Sequence, residues 1–101
     1  MTDIPLFILD EKARWRLAYD QNQWILQRRK GAARPSKGSG IRDSGWRGVS
    51  FVGSEKCILY RCLREKGVAL TPAALAALER FPDTFREWLD EVEVRQRRRG
   101  V

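Results

Sequence analysis

Histidine is absent from the 101 residues, and cysteine occurs only at Cys57 and Cys62. The first absence removes the commonest general acid and base, and two thiols without histidine do not complete a zinc site. On a helix, residues five apart are separated by roughly 7.5 Å along the axis and about 140° around it. The two cysteines therefore cannot close a disulfide, and they are expected to be reduced thiols, one packed and one exposed, as in a cytoplasmic protein. Serine and cysteine nucleophiles have no visible base beside them. A nuclease would need clustered carboxylates for metal ions, yet the basic region offers only Asp20, Asp43, Glu55 and Glu65, scattered over a turn, a loop and two helix ends. The sequence reads as a non-enzyme, with no metal and no cofactor expected. The apolar run Ile4-Pro-Leu-Phe-Ile-Leu9 is far too short to span a bilayer. Asp3 and Asp10 flank it where a secretory signal would need positive charge. No helix combines a basic face with the exposed apolar face that interfacial insertion requires, so no membrane partner is expected.

Positive charge is abundant, and it is unevenly placed. The net charge is +7, which favours polyanionic partners. Residues 12–66 hold 14 Lys/Arg against 4 Asp/Glu, whereas residues 67–94 hold 2 against 6. The hydrophobic fraction of 43% and the ten aromatic residues suit one small folded domain. A chain of this length buries roughly 60–70% of its unfolded surface, enough for one modest core.

The stretch Trp15-Arg-Leu-Ala-Tyr19-Asp-Gln-Asn-Gln-Trp24-Ile-Leu-Gln-Arg-Arg-Lys30 reads as a β-hairpin. Closing its turn over Asp20–Gln23 sets Tyr19 opposite Trp24, Leu17 opposite Leu26 and Trp15 opposite Arg28. Strand side chains alternate faces, and directly opposed residues share one. Trp15, Leu17, Tyr19, Trp24 and Leu26 then form a core face. The reverse face carries Arg14, Arg16, Gln27 and Arg29, diluted only by Ala18 and Ile25. A one-residue slip would bury the arginines, so the register is well determined.

Residues 4–9 are extended and apolar, with Pro5 suited to an arm or an edge strand. Residues 31–45 form a long loop rich in glycine, serine and basic residues, either a connector or a contact loop. Trp46–Val52 is a third strand, expected to send Val49 and Phe51, with Arg47, to the core side, and Trp46, Gly48 and Ser50 to the arginine face. Ser54 is expected to cap a helix over Glu55–Lys66 that aims Ile58, Leu59, Cys62 and Leu63 inward, with Gly67 at C′. Thr71-Pro72 starts a second helix with a face of Ala74, Leu75, Ala77 and Leu78. Asp83 is the expected cap of a third, amphipathic through Phe85, Trp88, Leu89 and Val92. The order implies an α+β fold: a three-stranded antiparallel meander, with a short N-terminal edge strand or arm, packed on two or three C-terminal helices. One domain is expected over residues 1–94, with a flexible loop at 31–45 and a disordered basic tail at 95–101.

The candidate binding surface is the basic sheet face: Arg14, Arg16, Gln27 and Arg29 with Trp46, rimmed by Arg28, Lys30 and Arg47, and by Arg34, Lys37 and Arg42 of the loop. Arginine reads guanine bidentately when strands enter a major groove, and Trp46 could instead stack on an unpaired base. The alternative is a solvated charged face, ordinary for an antiparallel sheet with one wet side. The order of strands and helix, with Trp-Arg-Gly-Val-Ser-Phe leading into Ser-Glu-Lys-Cys-Ile-Leu-Tyr-Arg-Cys-Leu-Arg-Glu, resembles the three-stranded sheet plus helix of AP2-type and integrase amino-terminal DNA-binding domains. That likeness covers about residues 14–66 and implies DNA binding through the sheet. The chain departs from both families in its fifteen-residue loop and its two extra helices. With Trp-Arg-Leu-Ala-Tyr-Asp, Gln-Trp-Ile-Leu and Phe-Arg-Glu-Trp-Leu it also looks like small basic proteins carried by proteobacterial prophages, which implies an accessory role in a phage or mobile element. Two functions follow as expectations. One is a nucleic-acid-binding protein, for DNA or RNA. The other is a phage-encoded inhibitor, an anti-CRISPR or other counter-defence factor, that binds a host protein or ribonucleoprotein complex.

Overall fold

The computed structural model of the chain describes residues 3–30 and 45–99. Four strands, β1 (Ile4–Ile8), β2 (Trp15–Tyr19), β3 (Trp24–Arg29) and β4 (Trp46–Val52), form one antiparallel sheet in that order. Helices α1 (Lys56–Glu65), α2 (Pro72–Glu79) and α3 (Phe85–Arg99) follow. The class is α+β, and the N-terminal segment is the fourth, edge strand. Helix α3 includes most of 95–101, the segment expected to fray. No helix among the described residues is long and apolar enough to cross a membrane.

The hairpin takes the register that its alternation demands, with Trp15 opposite Arg28, Leu17 opposite Leu26 and Tyr19 opposite Trp24. Its turn is held by Asp20, whose carboxylate accepts the backbone N–H groups of Asn22 at 2.7 Å and Gln23 at 3.0 Å. That is the local bonding which makes Asp a turn residue. Leu17, Tyr19, Trp24 and Leu26 are buried against residues of all three helices, including Leu59, Leu63, Ala74, Leu78, Phe85 and Trp88. Trp24 is the hub of this core. Its ring stacks on Phe81 at 5.5 Å and meets Phe85 edge-on at 5.3 Å.

Strand β4 departs from the expected parity. Leu26 pairs with Ser50 but Gln27 pairs with Gly48, so Val49 is the extra residue of a bulge. The bulge sends Val52 and Ser50 to the helix side and Phe51 to the reverse face, opposite Ile25. Val52 takes the core position, while Phe51 is 56% exposed. This corrects the assignment of Val49 and Phe51 to the core and of Ser50 to the arginine face. Trp46 and Gly48 keep the reverse-face positions expected for them, opposite Arg29 and Gln27. Gly48 fits its place because a Cβ there would lie 2.9 Å from the Phe51 ring, which folds back over it.

The helix boundaries are set partly by long-range pairing. Lys56 N–H donates to the Asp83 carbonyl at 2.7 Å and Phe85 N–H to the Ser54 carbonyl at 2.9 Å, around a bridge between Glu55 and Thr84. The starts of α1 and α3 thus satisfy each other's orphan N–H groups. Glu55, not Ser54, occupies the N-cap position of α1, with no side-chain bond. Thr84, not Asp83, caps α3: its hydroxyl accepts Glu87 N–H at 3.2 Å and donates to the Glu87 carboxylate at 2.9 Å. Thr71 caps α2 through Ala74 N–H at 3.1 Å, as expected. Ala74 and Leu78 are buried there, but Leu75 is exposed. Gly67, at φ 68°, ends α1 in a Schellman motif, with Val68 N–H on the Leu63 carbonyl and Gly67 N–H on that of Arg64.

Candidate polyanion-binding cleft

Along β3 the burial changes abruptly. Trp24, Ile25, Leu26 and Gln27 are buried, whereas Arg28 and Arg29 are exposed. The helices cover the first part of the strand, and the last part, with the start of β4 beside it, projects beyond them. A cleft of about 930 Å³ opens there, lined among the described residues by Lys12, Arg14, Trp15, Arg28, Arg29, Lys30, Arg47, Gly48, Val49 and Lys66. Seven of these are cationic and none is acidic.

Four separate pieces of local structure bring the cations together. The β1–β2 connection is tied by Asp10, whose carboxylate accepts the N–H groups of Arg14 at 2.9 Å and Trp15 at 3.0 Å. A turn closed by Ala13 N–H on the Asp10 carbonyl, with Ala13 at φ 54°, holds Lys12 and Arg14 at the rim. The ladder then runs on past the hairpin's apolar part, with Arg29 N–H on the Arg14 carbonyl at 2.7 Å and Lys30 N–H on the Gly45 carbonyl at 2.8 Å. Arg28 and Arg47 face each other across β3 and β4 on the helix side. Lys66 is the C-cap of α1 and closes the cleft from the helical layer. Trp15 forms part of the wall, half-buried, with the Arg28 guanidinium 5.5 Å from its ring centroid. Like charges held around a concave wall repel one another and focus a positive potential into the space between them. Across a space this small, solvent screening is incomplete, since the Debye length at physiological salt is about 8 Å. An anion entering the cleft relieves that repulsion.

The reverse face is organised differently. Gln27 is buried, accepts a bond from Arg16 Nε at 2.6 Å and donates through its amide nitrogen to the Asp3 carboxylate at 3.0 Å. The Arg16 guanidinium lies over the Trp46 ring, 4.5 Å from its centroid. Burial draws the Arg16 pKa below its ordinary value, and the Asp3 carboxylate offsets part of that shift. Ala18 and Ile25 are buried between these polar groups and Phe51. Arg16, Gln27 and Trp46 thus form one bonded array.

Of the residues expected to bind, Arg14, Arg28, Arg29, Lys30 and Arg47 come together in the cleft. Arg16, Gln27 and Trp46 do not line it, and Arg34, Lys37 and Arg42 lie outside the described residues. Lys12 and Lys66 join the cleft from outside the expected set, and Trp15, expected in the core alone, also forms part of its wall. The position of Lys66 directly before the helix-ending Gly67 is legible in the sequence, but its approach to the sheet end is not. Compared with known protein families, curated proteins and solved structures, the chain matches none.

Proposed function

We propose that the protein binds nucleic acid through the cleft at the open end of its sheet. The observation that carries this reading is the convergence of Lys12, Arg14, Arg28, Arg29, Lys30, Arg47 and Lys66 on one concave space, with no carboxylate among its described lining residues. A basic surface evolved only for solubility has no reason to concentrate like charges from the β1–β2 turn, two strands and a helix cap. Phosphate neutralisation supplies most of the affinity in such a site, and it leaves a signature in salt dependence. The accessory role in a phage or mobile element rests on the prophage resemblance and is compatible with a module of this kind.

The test is fluorescence anisotropy of labelled DNA and RNA at several salt concentrations. Binding should weaken linearly with log salt. The slope should fall by about 0.9 for each neutralised phosphate that a variant gives up on duplex DNA, and by about 0.7 on a single strand. The double variant Arg29→Gln, Arg47→Gln should therefore show a shallower slope and weaker binding to every sequence. A titration in which wild type and double variant bind alike would remove the cleft from the function. One observation favours the inhibitor reading instead: Glu79, Asp83, Glu87, Asp90, Glu91 and Glu93 lie on the helical side of the chain, and none of them lines the cleft. An inhibitor need not bind bare nucleic acid and would be retained by a host assembly in a pull-down that survives nuclease treatment.

A further inference from the structure

We infer that the cleft takes single-stranded nucleic acid, with Trp15 as the platform on which a base stacks and Arg28 as a placeholder that gives way to it. The inference rests on the nucleic-acid reading above and specifies the strand. Size is the first argument. A cleft of about 930 Å³ has room for nucleotides of one strand, whereas a duplex keeps its base faces stacked within the helix and cannot bring one to Trp15. A single strand can.

Chemistry is the second argument. Trp15 is the one aromatic among the described lining residues, and it is half-buried, so its packing against the core fixes the ring while part of it faces the cleft. A fixed aromatic beside converging cations is the pairing that single-strand sites use, bases on rings and phosphates on lysine and arginine. The Arg28 guanidinium occupies that position, 5.5 Å from the ring centroid. An exposed cation–π contact of this sort is weaker than the stacking of a base on an aromatic ring. An arriving base therefore displaces Arg28, and the freed guanidinium neutralises a phosphate beside it. Trp46, the aromatic that the sequence pointed to, has Arg16 over its ring and does not line the cleft.

The experiment compares short labelled oligonucleotides of one sequence as single-stranded DNA, single-stranded RNA, duplex DNA and an abasic single strand, all against the full-length protein. A single strand bound at least tenfold more tightly than the duplex, and an abasic strand bound roughly 5- to 150-fold more weakly than the intact one, the usual worth of a stacked base, support the inference. Trp15→Leu, with its fold checked by thermal melting, should lose a similar factor on intact single strands and nothing on the abasic strand. A duplex bound as tightly as the single strand, or an abasic strand bound equally well, overturns the inference and leaves the cleft reading standing. Binding of no oligonucleotide at low salt overturns both. The abasic comparison uses unaltered protein, so it decides the matter even where Trp15→Leu does not fold.

Discussion

The two ends of strand β3 are made of the same backbone in the same sheet, and they do opposite things. At Trp24 the strand lies under the helices, its indole fully buried among Phe81, Phe85 and Trp88. Four residues later, at Arg28 and Arg29, it is exposed and walls a cationic cleft. The reverse face, by contrast, is not a uniform field of arginine. It mixes a bonded Arg16–Gln27–Asp3 array with buried Ala18 and Ile25. In this sheet the division between packed residues and clustered cations follows position along the strand more than the side to which a residue points. The three helices cover only part of the sheet, and the end beyond them is where the described residues tolerate charge.

The largest test of that division is at the covered end. Trp24→Ala should destabilise the fold by about 3–5 kcal/mol, the range for truncating a large buried aromatic. That is a large fraction of the total stability of a domain this size, so the expected readout is a thermal melt that collapses or is lost. A melt close to wild type would place the core elsewhere. At the boundary between the two ends, Asp10→Ala removes the acceptor for the Arg14 and Trp15 N–H groups. It should cost about 1–2 kcal/mol in urea unfolding, comparable to losing a cap, and it should also weaken binding because Lys12 and Arg14 lose their anchor. Stability and binding both unchanged would show that the turn holds itself. At the open end, Arg29→Gln with Arg47→Gln should leave stability within about 0.5 kcal/mol, as exposed substitutions do, or raise it by relieving repulsion, while binding falls. Smallest of all should be the effect on stability of removing residues 95–101, whose only apolar side chain is Val101. A truncated chain melting well below full length would mean that the end of α3 is docked.

Much of the covered end is legible in the sequence because its determinants are local or strictly periodic. The alternation through Trp15, Leu17 and Tyr19, with a turn at Asp20, leaves one register that buries apolar groups. Thr71-Pro72 and Gly67 announce helix ends through their own backbone preferences. The bulge at Val49 is hidden because Val49, Phe51 and Val52 are all apolar, so either parity supplies a core residue, and pairing with Gln27 and Leu26 decides between them. The caps of α1 and α3 mislead for a similar reason: Ser54 and Asp83 are good capping residues, yet here both give their carbonyls to the other helix. Of the cleft, the arginines of β3 and β4 can be read from sequence. Lys12 and Lys66 cannot, since 53 residues lie between them and only the packed fold makes them neighbours.

The reciprocal bonds between Ser54–Lys56 and Asp83–Phe85 carry a consequence for the order of events in folding. The first N–H group of α1 and that of α3 find their partners only when a segment nearly thirty residues away has arrived, so a loop must be closed, at an entropic cost, before either is satisfied. The same reciprocity makes the opening of one the opening of the other. The Lys56 and Phe85 amides should therefore exchange with solvent deuterium at one shared rate, as a single cooperative unit, although they begin two different helices.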